Sequence, residues 1–172
     1  KLLTKWALTT DKENVGFVDF QAHDFSMRGL DSVDATIASG LGHLTSFKGT
    51  DSLPAIIGAR QFYQATGFVA GSVPASEHSV MTSYGKEDEL GAFKRLLEQF
   101  PTGILSVVSD SFDLWKVLTK YLPELKEAIL ARNGKLVIRP DSGNPVDIIC
   151  GKSHPEQSDK YIGVWNELPQ SK

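Results

Sequence analysis

The chain has 172 residues, 41% hydrophobic and 23% charged, and its 18 basic and 21 acidic side chains leave a net charge of −3 at pH 7 with histidine neutral. This composition suffices for one packed core and argues against intrinsic disorder. The balance of charge gives no basic field for nucleic acid, and no apolar run nears the roughly 20 residues that cross a bilayer. A lone Cys150 suits a reducing compartment, so we expect a soluble, cytoplasmic protein with neither nucleic-acid nor membrane partners.

Both ends of the sequence have the character of internal positions in a longer chain. Residues 1–8 have the apolar spacing of the last turns of a helix, and the chain opens without Met. We therefore treat 1–172 as a single segment of a larger protein. From about residue 151 the sequence turns polar, which predicts a tail or loop over 151–172.

Strand-like and helical patterns alternate along the rest of the chain. Strands are predicted at 15–21, 43–48, 68–73, 103–108 and 135–138. Helices are predicted at 31–41, 53–64, 76–83, 86–100, 112–121 and 124–132. Asp31 is placed to cap the first of these helices, whereas Gly85 and Pro123 are expected to separate the neighbours on either side of them.

Apolar residues within these elements predict which faces are buried. In helix 53–64 we expect Ile56, Ile57, Ala59 and Phe62 to point inward. Helix 86–100 carries one apolar stripe, formed by Leu90, Phe93, Leu96, Leu97 and Phe100. The continuous apolar run at 103–108 is typical of a strand that is buried on both faces.

Alternating strands and helices indicate an α/β fold with parallel strands, because parallel neighbours need a crossover. Polar residues follow every predicted strand, and they are Asp24, Arg28, Asp51, His78, Asp110, Arg139 and Asp141. Five contributing strands favour a partial (βα) barrel over about 16–150, in which strand ends share one mouth, over an open sheet that uses only two strands.

Each polar candidate also has a structural interpretation. Asp51, Asp110 and Asp141 stand before helices, where carboxylates act as caps. Arg139 and Asp141 are two apart in an extended chain, so they could bind a phosphate and a sugar hydroxyl together or form a mutual salt bridge.

His78 and Phe25 carry the same ambiguity. His78 lacks a second histidine at zinc spacing, and it could be structural or could transfer a proton or accept a phosphoryl group. Phe25 could pack in the core or offer a flat surface to an aromatic substrate. No dinucleotide-binding, Walker or serine-nucleophile motif occurs.

Five strings of residues form an ordered pattern that is more specific than any single motif. They are His23-Asp24-Phe25-Ser26-Met27-Arg28-Gly29, Phe47-Lys48-Gly49-Thr50-Asp51, Ser72-Val73-Pro74-Ala75-Ser76-Glu77-His78-Ser79, Val107-Val108-Ser109-Asp110-Ser111 and Ile138-Arg139-Pro140-Asp141-Ser142-Gly143-Asn144-Pro145. Together they resemble the nicotinamide phosphoribosyltransferase family from about residue 16 to about residue 150. Ser26-Met27 departs from the Gly-Tyr that the family often has there.

The resemblance implies a type II phosphoribosyltransferase of NAD salvage. Such an enzyme transfers the phosphoribosyl group of phosphoribosyl pyrophosphate to nicotinamide and releases nicotinamide mononucleotide and pyrophosphate, with Mg²⁺. It also implies a homodimer and ATP as a facultative phosphoryl donor. Because family members are nearly three times this length, we expect little or no activity from the segment alone.

The resemblance also assigns roles to individual residues. Asp51 would hydrogen-bond the nicotinamide carboxamide and repel the carboxylate of nicotinate, and Phe25 would stack on the pyridine ring. Arg28 and Arg139 would hold phosphate or pyrophosphate. The remaining roles are ribose binding for Asp141, support of the site for Asp110 and transient phosphorylation by ATP for His78.

Two other functions remain open at this point. A nicotinate or quinolinate phosphoribosyltransferase would share the fold but would call for a cation in place of Asp51. A non-catalytic βα domain would bind phosphorylated ligands without releasing pyrophosphate.

Overall fold

A computed structural model of the chain describes residues 1–150. The tail or loop predicted for 151–172 lies outside the described residues. The chain divides into two compact units, of which the first is Lys1–Ser72 and the second begins at Val73.

The first unit contains short parallel strands and three α-helices. Its elements are α1 (Leu2–Thr10), a 3₁₀ helix (Val15–Phe20), β1 (His23–Asp24), a second 3₁₀ helix (Ser26–Gly29), α2 (Val33–Leu44), β2 (Gly49–Thr50) and α3 (Pro54–Tyr63). β1 pairs with β2 in parallel, with His23 opposite Gly49 and Asp24 opposite Thr50. Gly49 in turn bridges Gly71 in parallel, so three successive segments lie side by side in chain order.

Helices α2 and α3 approach each other closely because small residues meet at their interface. A Cβ built on Gly40 would clash with the Cβ of Ala55, and one built on Gly58 would clash with the Cγ2 of Ile37. Ala55, Gly58 and Ala59 therefore form the buried face of α3. Our expectation that Ile57 and Phe62 point inward was wrong, since both are exposed.

Three predicted elements of the first unit were also wrong. The 15–21 strand is a 3₁₀ helix with local bonds such as Phe17 N–H to the Asn14 carbonyl. The predicted strand at 43–48 is absent because α2 continues to Leu44. The backbone N–H groups of residues 45–47 then donate hydrogen bonds to the last carbonyl groups of that helix. The 68–73 strand reduces to the bridge at Gly71.

The cap of α2 is Ser32 and not Asp31. The Ser32 Oγ accepts a hydrogen bond of 3.1 Å from the Ala35 N–H, and the Ser32 backbone is extended, as an N-cap requires. Asp31 is one residue too early to reach that N–H group.

The second unit is built around one longer parallel pair. Its elements are α4 (His78–Tyr84), a 3₁₀ helix (Lys86–Asp88), α5 (Glu89–Gln99), β3 (Thr102–Val108), α6 (Leu114–Lys116), a π-helical turn (Val117–Tyr121), α7 (Leu122–Glu124), α8 (Lys126–Ala131), β4 (Asn133–Arg139) and α9 (Pro145–Cys150). β3 pairs in parallel with β4 along its whole length, from Thr102 opposite Asn133 to Val108 opposite Arg139. On its other side, β3 bridges Ala75 in parallel through Ser106.

The core of the second unit confirms the apolar patterns. Phe93 and Leu97 of α5 are buried with Leu105, Val107 and Val108 of β3. Leu90, Leu96 and Phe100, the rest of the predicted stripe, pack against them. The 103–108 and 135–138 strands and the break at Gly85 are likewise confirmed. Burial on both faces holds only for residues 105–108 of β3, since Ile104 is 45% exposed.

Pro123 does not interrupt the helical path, contrary to our expectation. Proline in a helix loses an N–H and clashes with the carbonyl four residues before it. In the π-helical turn just before Pro123, the Leu122 N–H bonds to the Val117 carbonyl. This turn widens the helix near the carbonyl group that the proline ring would otherwise meet. The chain remains helical through Glu124 and turns at Leu125.

These observations establish an α/β arrangement with parallel strands. Within residues 1–150 the strands form two two-stranded sheets, so the described structure does not show the partial (βα) barrel that we predicted over about 16–150. Among the described residues, no helix has both the length and the apolarity of a membrane span.

Candidate active site

A group of side chains lies on and just after the paired segments of the first unit, and we call it the Asp51 cluster: His23, Phe25, Asp51 and Ser72. Alternate residues of a strand share a face, and the parallel register places His23 opposite Gly49. Phe25 and Asp51, each two residues further along, therefore lie on that same face. The cluster follows directly from the pairing of two distant segments.

His23 makes the contacts within this cluster. Its Nε2 lies 3.3 Å from Asp51 Oδ1 and 3.5 Å from Ser72 Oγ. Its ring centroid lies 4.7 Å from that of Phe25, with the two planes tilted by 39°. Phe25 remains 39% exposed, so its ring is accessible to a ligand rather than enclosed in the core.

Asp24 faces the opposite side of β1 and is buried. Burial raises the pKa of this carboxyl, but hydrogen bonds from Ser26 and Ser52 lower it more, and the pKa ends below its ordinary value. Its Oδ1 accepts the Ser26 N–H at 2.8 Å, which starts the 3₁₀ helix that carries Arg28. Arg28 is exposed in the first unit.

The second unit assembles a separate group around a histidine, which we call the His78 cluster: His78, Asp110, Ser111 and Asp141. His78 Nδ1 lies 2.9 Å from Ser111 Oγ. On the other side of the ring, Nε2 lies 3.3 Å from Asp141 Oδ2 and 3.7 Å from Asp110 Oδ1. Two carboxylates thus face one imidazole nitrogen, while the other nitrogen contacts a hydroxyl group.

Asp110 is the buried member of the His78 cluster, with its side chain 8% exposed. Its Oδ2 accepts hydrogen bonds from the Asp141 N–H at 2.8 Å and from Ser142 Oγ at 2.5 Å. Burial raises the pKa of Asp110, and these hydrogen bonds outweigh burial, so that its pKa lies below the ordinary value. Asp110 is therefore an ionised group at neutral pH.

Arg139 ends β4 next to this cluster. Its Nη2 donates to the Ser76 carbonyl at 2.9 Å and lies 3.5 Å from Glu77 Oε1. Asp141 contacts His78 instead, so the mutual Arg139–Asp141 salt bridge that we considered is not the contact that forms. Through these contacts, Arg139 and Asp141 connect the end of β4 and the loop after it to residues 76–78 at the start of α4.

The three candidate carboxylates do not act as helix caps. α3 begins after Leu53 without a side-chain cap, and α6 is capped by Asp113. At α9 the Asn144 Oδ1 accepts the Val146 N–H at 2.9 Å. Asp51, Asp110 and Asp141 are thus directed to other contacts.

Sequence reasoning missed His23 and Ser111. We gave His23 no role because its partner Asp51 lies in a distant segment, and only the β1–β2 register shows the pair. Ser111 directly follows Asp110, and that adjacency was a usable signal. Within residues 1–150 no group of three or more His, Cys, Asp or Glu side chains is arranged to hold a metal ion.

Comparison with known proteins identifies the relatives of this chain. Three of them, each called nicotinamide phosphoribosyltransferase, are similar to most of it: 48% identical over 91% of the chain for Acinetobacter baylyi, 45% over 98% for Mycoplasma pneumoniae and 42% over 81% for Xanthomonas campestris. The matches cover 32%, 35% and 30% of the relatives' own lengths, so the chain spans about a third of each.

A family match agrees with these relatives. Residues 20–169 match the family described as nicotinate phosphoribosyltransferase (NAPRTase). This match continues past residue 150, where the resemblance of the individual motifs stops. The chain belongs to the nicotinate phosphoribosyltransferase (NAPRTase) family.

Proposed function

We propose that the protein containing this chain transfers a phosphoribosyl group from phosphoribosyl pyrophosphate to nicotinamide, releasing nicotinamide mononucleotide and pyrophosphate in NAD salvage. The observation that carries this proposal is the 42–48% identity, over 81–98% of the chain, to relatives named nicotinamide phosphoribosyltransferase. Because the chain spans about a third of their length, we also propose that residues 1–172 alone do not turn over substrate.

The Asp51 cluster supports nicotinamide as the substrate. A carboxylate accepts hydrogen bonds and donates none when ionised, so Asp51 suits the N–H groups of a carboxamide. A nicotinate carboxylate opposite Asp51 would meet like charge. Phe25, half exposed beside His23, would stack on the pyridine ring.

Charged groups elsewhere in the chain would bind phosphoribosyl pyrophosphate. Arg28 and Arg139 would hold phosphate or pyrophosphate through charge-assisted hydrogen bonds, and Asp141 would accept hydrogen bonds from the ribose hydroxyls. Phosphoribosyl transfer passes through an oxocarbenium-like state, so the protein supplies position and charge and needs no nucleophile. Asp110 would support this arrangement by fixing the loop that bears Asp141.

His78 would accept the terminal phosphoryl group of ATP on a ring nitrogen, with formation of an N–P bond, cleavage of the terminal P–O bond of ATP and release of ADP. Its Nε2 faces Asp141 and Asp110 while Ser111 contacts Nδ1, so both nitrogens are oriented by neighbours. A negative charge added to this ring would change the field at the pyrophosphate site without lying on the path of phosphoribosyl transfer. In this proposal ATP is a facultative phosphoryl donor, and phosphoribosyl transfer does not consume it.

Mg²⁺ would accompany phosphoribosyl pyrophosphate. Asp110 and Asp141 provide carboxylate oxygens of the class that Mg²⁺ accepts, and magnesium sites of this kind use one or two carboxylates together with substrate phosphates. These two carboxylates support a role in which the ion would neutralise pyrophosphate charge.

We also propose three properties that concern the whole protein: a (βα) barrel, a homodimer and a cytoplasmic location. The barrel is supported by the order of the strands. In each unit, successive segments pair in parallel and in chain order, which is the order of a closed barrel. A doubly wound sheet instead reverses its order at a switch point.

The test is an assay of the full-length protein with nicotinamide and nicotinate in parallel, on wild type and Asp51→Asn. We expect wild type to form nicotinamide mononucleotide. In the variant we expect kcat/KM for nicotinamide to fall by the factor that corresponds to a loss of roughly 1 to 3 kcal/mol of transition-state stabilisation. Asp19→Asn, which removes a carboxylate paired with Lys48 at 2.7 Å, is the matched control and should behave like wild type.

A second candidate function is the transfer of the same group to nicotinate, which the name of the matching family favours. Preference for nicotinate in this assay would establish that function instead. Binding of phosphoribosyl pyrophosphate without release of pyrophosphate would point to a ligand-binding domain.

A further inference from the structure

The β1–β2 pair positions a histidine for which the resemblance implied no role. His23 lies opposite Gly49 in the parallel register, and a Cβ on Gly49 would come within 2.7 Å of His23 Nδ1. The absence of a side chain at Gly49 lets the imidazole lie across β2. From there its Nε2 reaches the carboxylate that follows β2.

Four contacts hold the ring in that place. Gly49 lies against the Nδ1 side, and the Phe25 ring packs with its centroid 4.7 Å from that of His23. Nε2 lies 3.3 Å from Asp51 Oδ1 and 3.5 Å from Ser72 Oγ. The hydrogen-bond partner of Nε2 is Ser72 Oγ, and the approach of Nε2 to Asp51 Oδ1 is a polar contact between the two side chains. An imidazole edge held against Oδ1 in this way restricts rotation of the carboxylate.

We propose that His23 is a positioning residue that fixes Asp51, through Oδ1, in the orientation that accepts the carboxamide of the substrate and thereby sets the affinity for nicotinamide. This inference rests on the proposed function. A free aspartate side chain samples several rotamers, and a ligand that needs one of them binds more weakly in proportion. His23 therefore acts through Asp51 and not on the reacting atoms.

Two substitutions separate the polar contact that Nε2 makes with Asp51 from the ring contact with Phe25. His23→Gln keeps an N–H donor near the position of Nε2 but removes the ring, whereas His23→Phe keeps a ring against Phe25 but removes the donor. We expect His23→Phe to raise the KM for nicotinamide about tenfold, the change that 1.4 kcal/mol produces, with kcat within twofold. We expect His23→Gln to keep KM within about threefold.

The control is His43, another histidine of the same unit. Its Nε2 contacts the Gly49 carbonyl at 2.8 Å, and its ring packs on Phe47 with centroids 5.5 Å apart. His43→Gln and His43→Phe therefore test the loss of an imidazole beside Gly49 without altering Asp51. Both should leave the KM for nicotinamide unchanged.

The assay uses the full-length protein with nicotinamide and phosphoribosyl pyrophosphate each varied. The proposal is overturned if His23→Phe retains the wild-type KM, if His23→Gln and His23→Phe lose affinity equally, or if only kcat falls. Failure of the wild type to form nicotinamide mononucleotide would instead reject the proposed function, so the two failures are distinguishable.

Discussion

Asp110 accepts a hydrogen bond of 2.8 Å from the backbone N–H of Asp141. The carboxylate that lies two residues after β3 thus fixes the loop that follows β4. Its other oxygen, Oδ1, makes no hydrogen bond within residues 1–150 and lies 3.7 Å from His78 Nε2. One buried side chain therefore both orders a loop and supplies charge to the His78 cluster.

Loss of this charge should destabilise the protein in a pH-dependent way. Asp110→Asn weakens two hydrogen bonds to a charged acceptor, and we expect about 1 to 3 kcal/mol less stability at pH 7. Since the folded-state pKa of Asp110 is lowered, its contribution is complete above the ordinary value of 3.8 and disappears as the pH falls through the lowered pKa. Urea denaturation at several pH values should show the two proteins converging in acid, and an unchanged difference would contradict this assignment.

Glu89 should show the opposite dependence. This residue in the first turn of α5 is 1% exposed, and its Oε1 has no hydrogen-bond partner among the described residues. Burial raises its pKa, and Asp113 adds to that effect, whereas Lys116 opposes it.

The stability that protonated Glu89 contributes is full below 4.5 and is lost as the pH rises through the raised pKa. Glu89→Gln carries a side chain that stays neutral. The variant should have the same stability as wild type below pH 4.5 and a higher stability than wild type at pH 8. Thermal unfolding across this pH range is the measurement, and a variant less stable than wild type at pH 8 would show that the ionised form is the favoured one.

A single methyl group added between α2 and α3 should destabilise the first unit. Gly40→Ala places a Cβ against that of Ala55, and we expect a loss of about 1 to 3 kcal/mol from overpacking. Gly42→Ala is the control in the same helix, because a Cβ there meets nothing within 4 Å. It should stabilise by about 0.5 to 1 kcal/mol through helix propensity, as measured by urea denaturation, and equal effects of the two changes would contradict the close packing.

Helix α2 should depend on Ser32 and not on Asp31. Ser32→Ala removes the acceptor of the Ala35 N–H, at an expected cost of about 1 kcal/mol. Asp31→Ala should change the free energy of unfolding by less than about 0.5 kcal/mol, as surface substitutions usually do. The reverse ranking in denaturant unfolding would show that the cap is Asp31.

Local sequence patterns predicted the second unit well and the first unit poorly. The stripe of α5, with Phe93 and Leu97, and the apolar run of β3 carry periodicities long enough to identify an element and its buried face. The strands of the first unit are two residues long, His23–Asp24 and Gly49–Thr50, and no periodicity exists over two residues. Helices α2 and α3 pack through glycine and alanine, so hydrophobicity indicated the wrong face.

The sequence by itself determined the family, the α/β class with parallel strands, and the residues that carry charge near strand ends. Tertiary structure alone decided which of these residues meet. His23 reaches Asp51 only through the β1–β2 register and the space above Gly49, and His78 meets Asp110 and Asp141 only because α4 follows a segment paired with β3. The physical reason is that such contacts depend on strand register and on close backbone approach, which involve residues far apart in the chain and leave no local pattern.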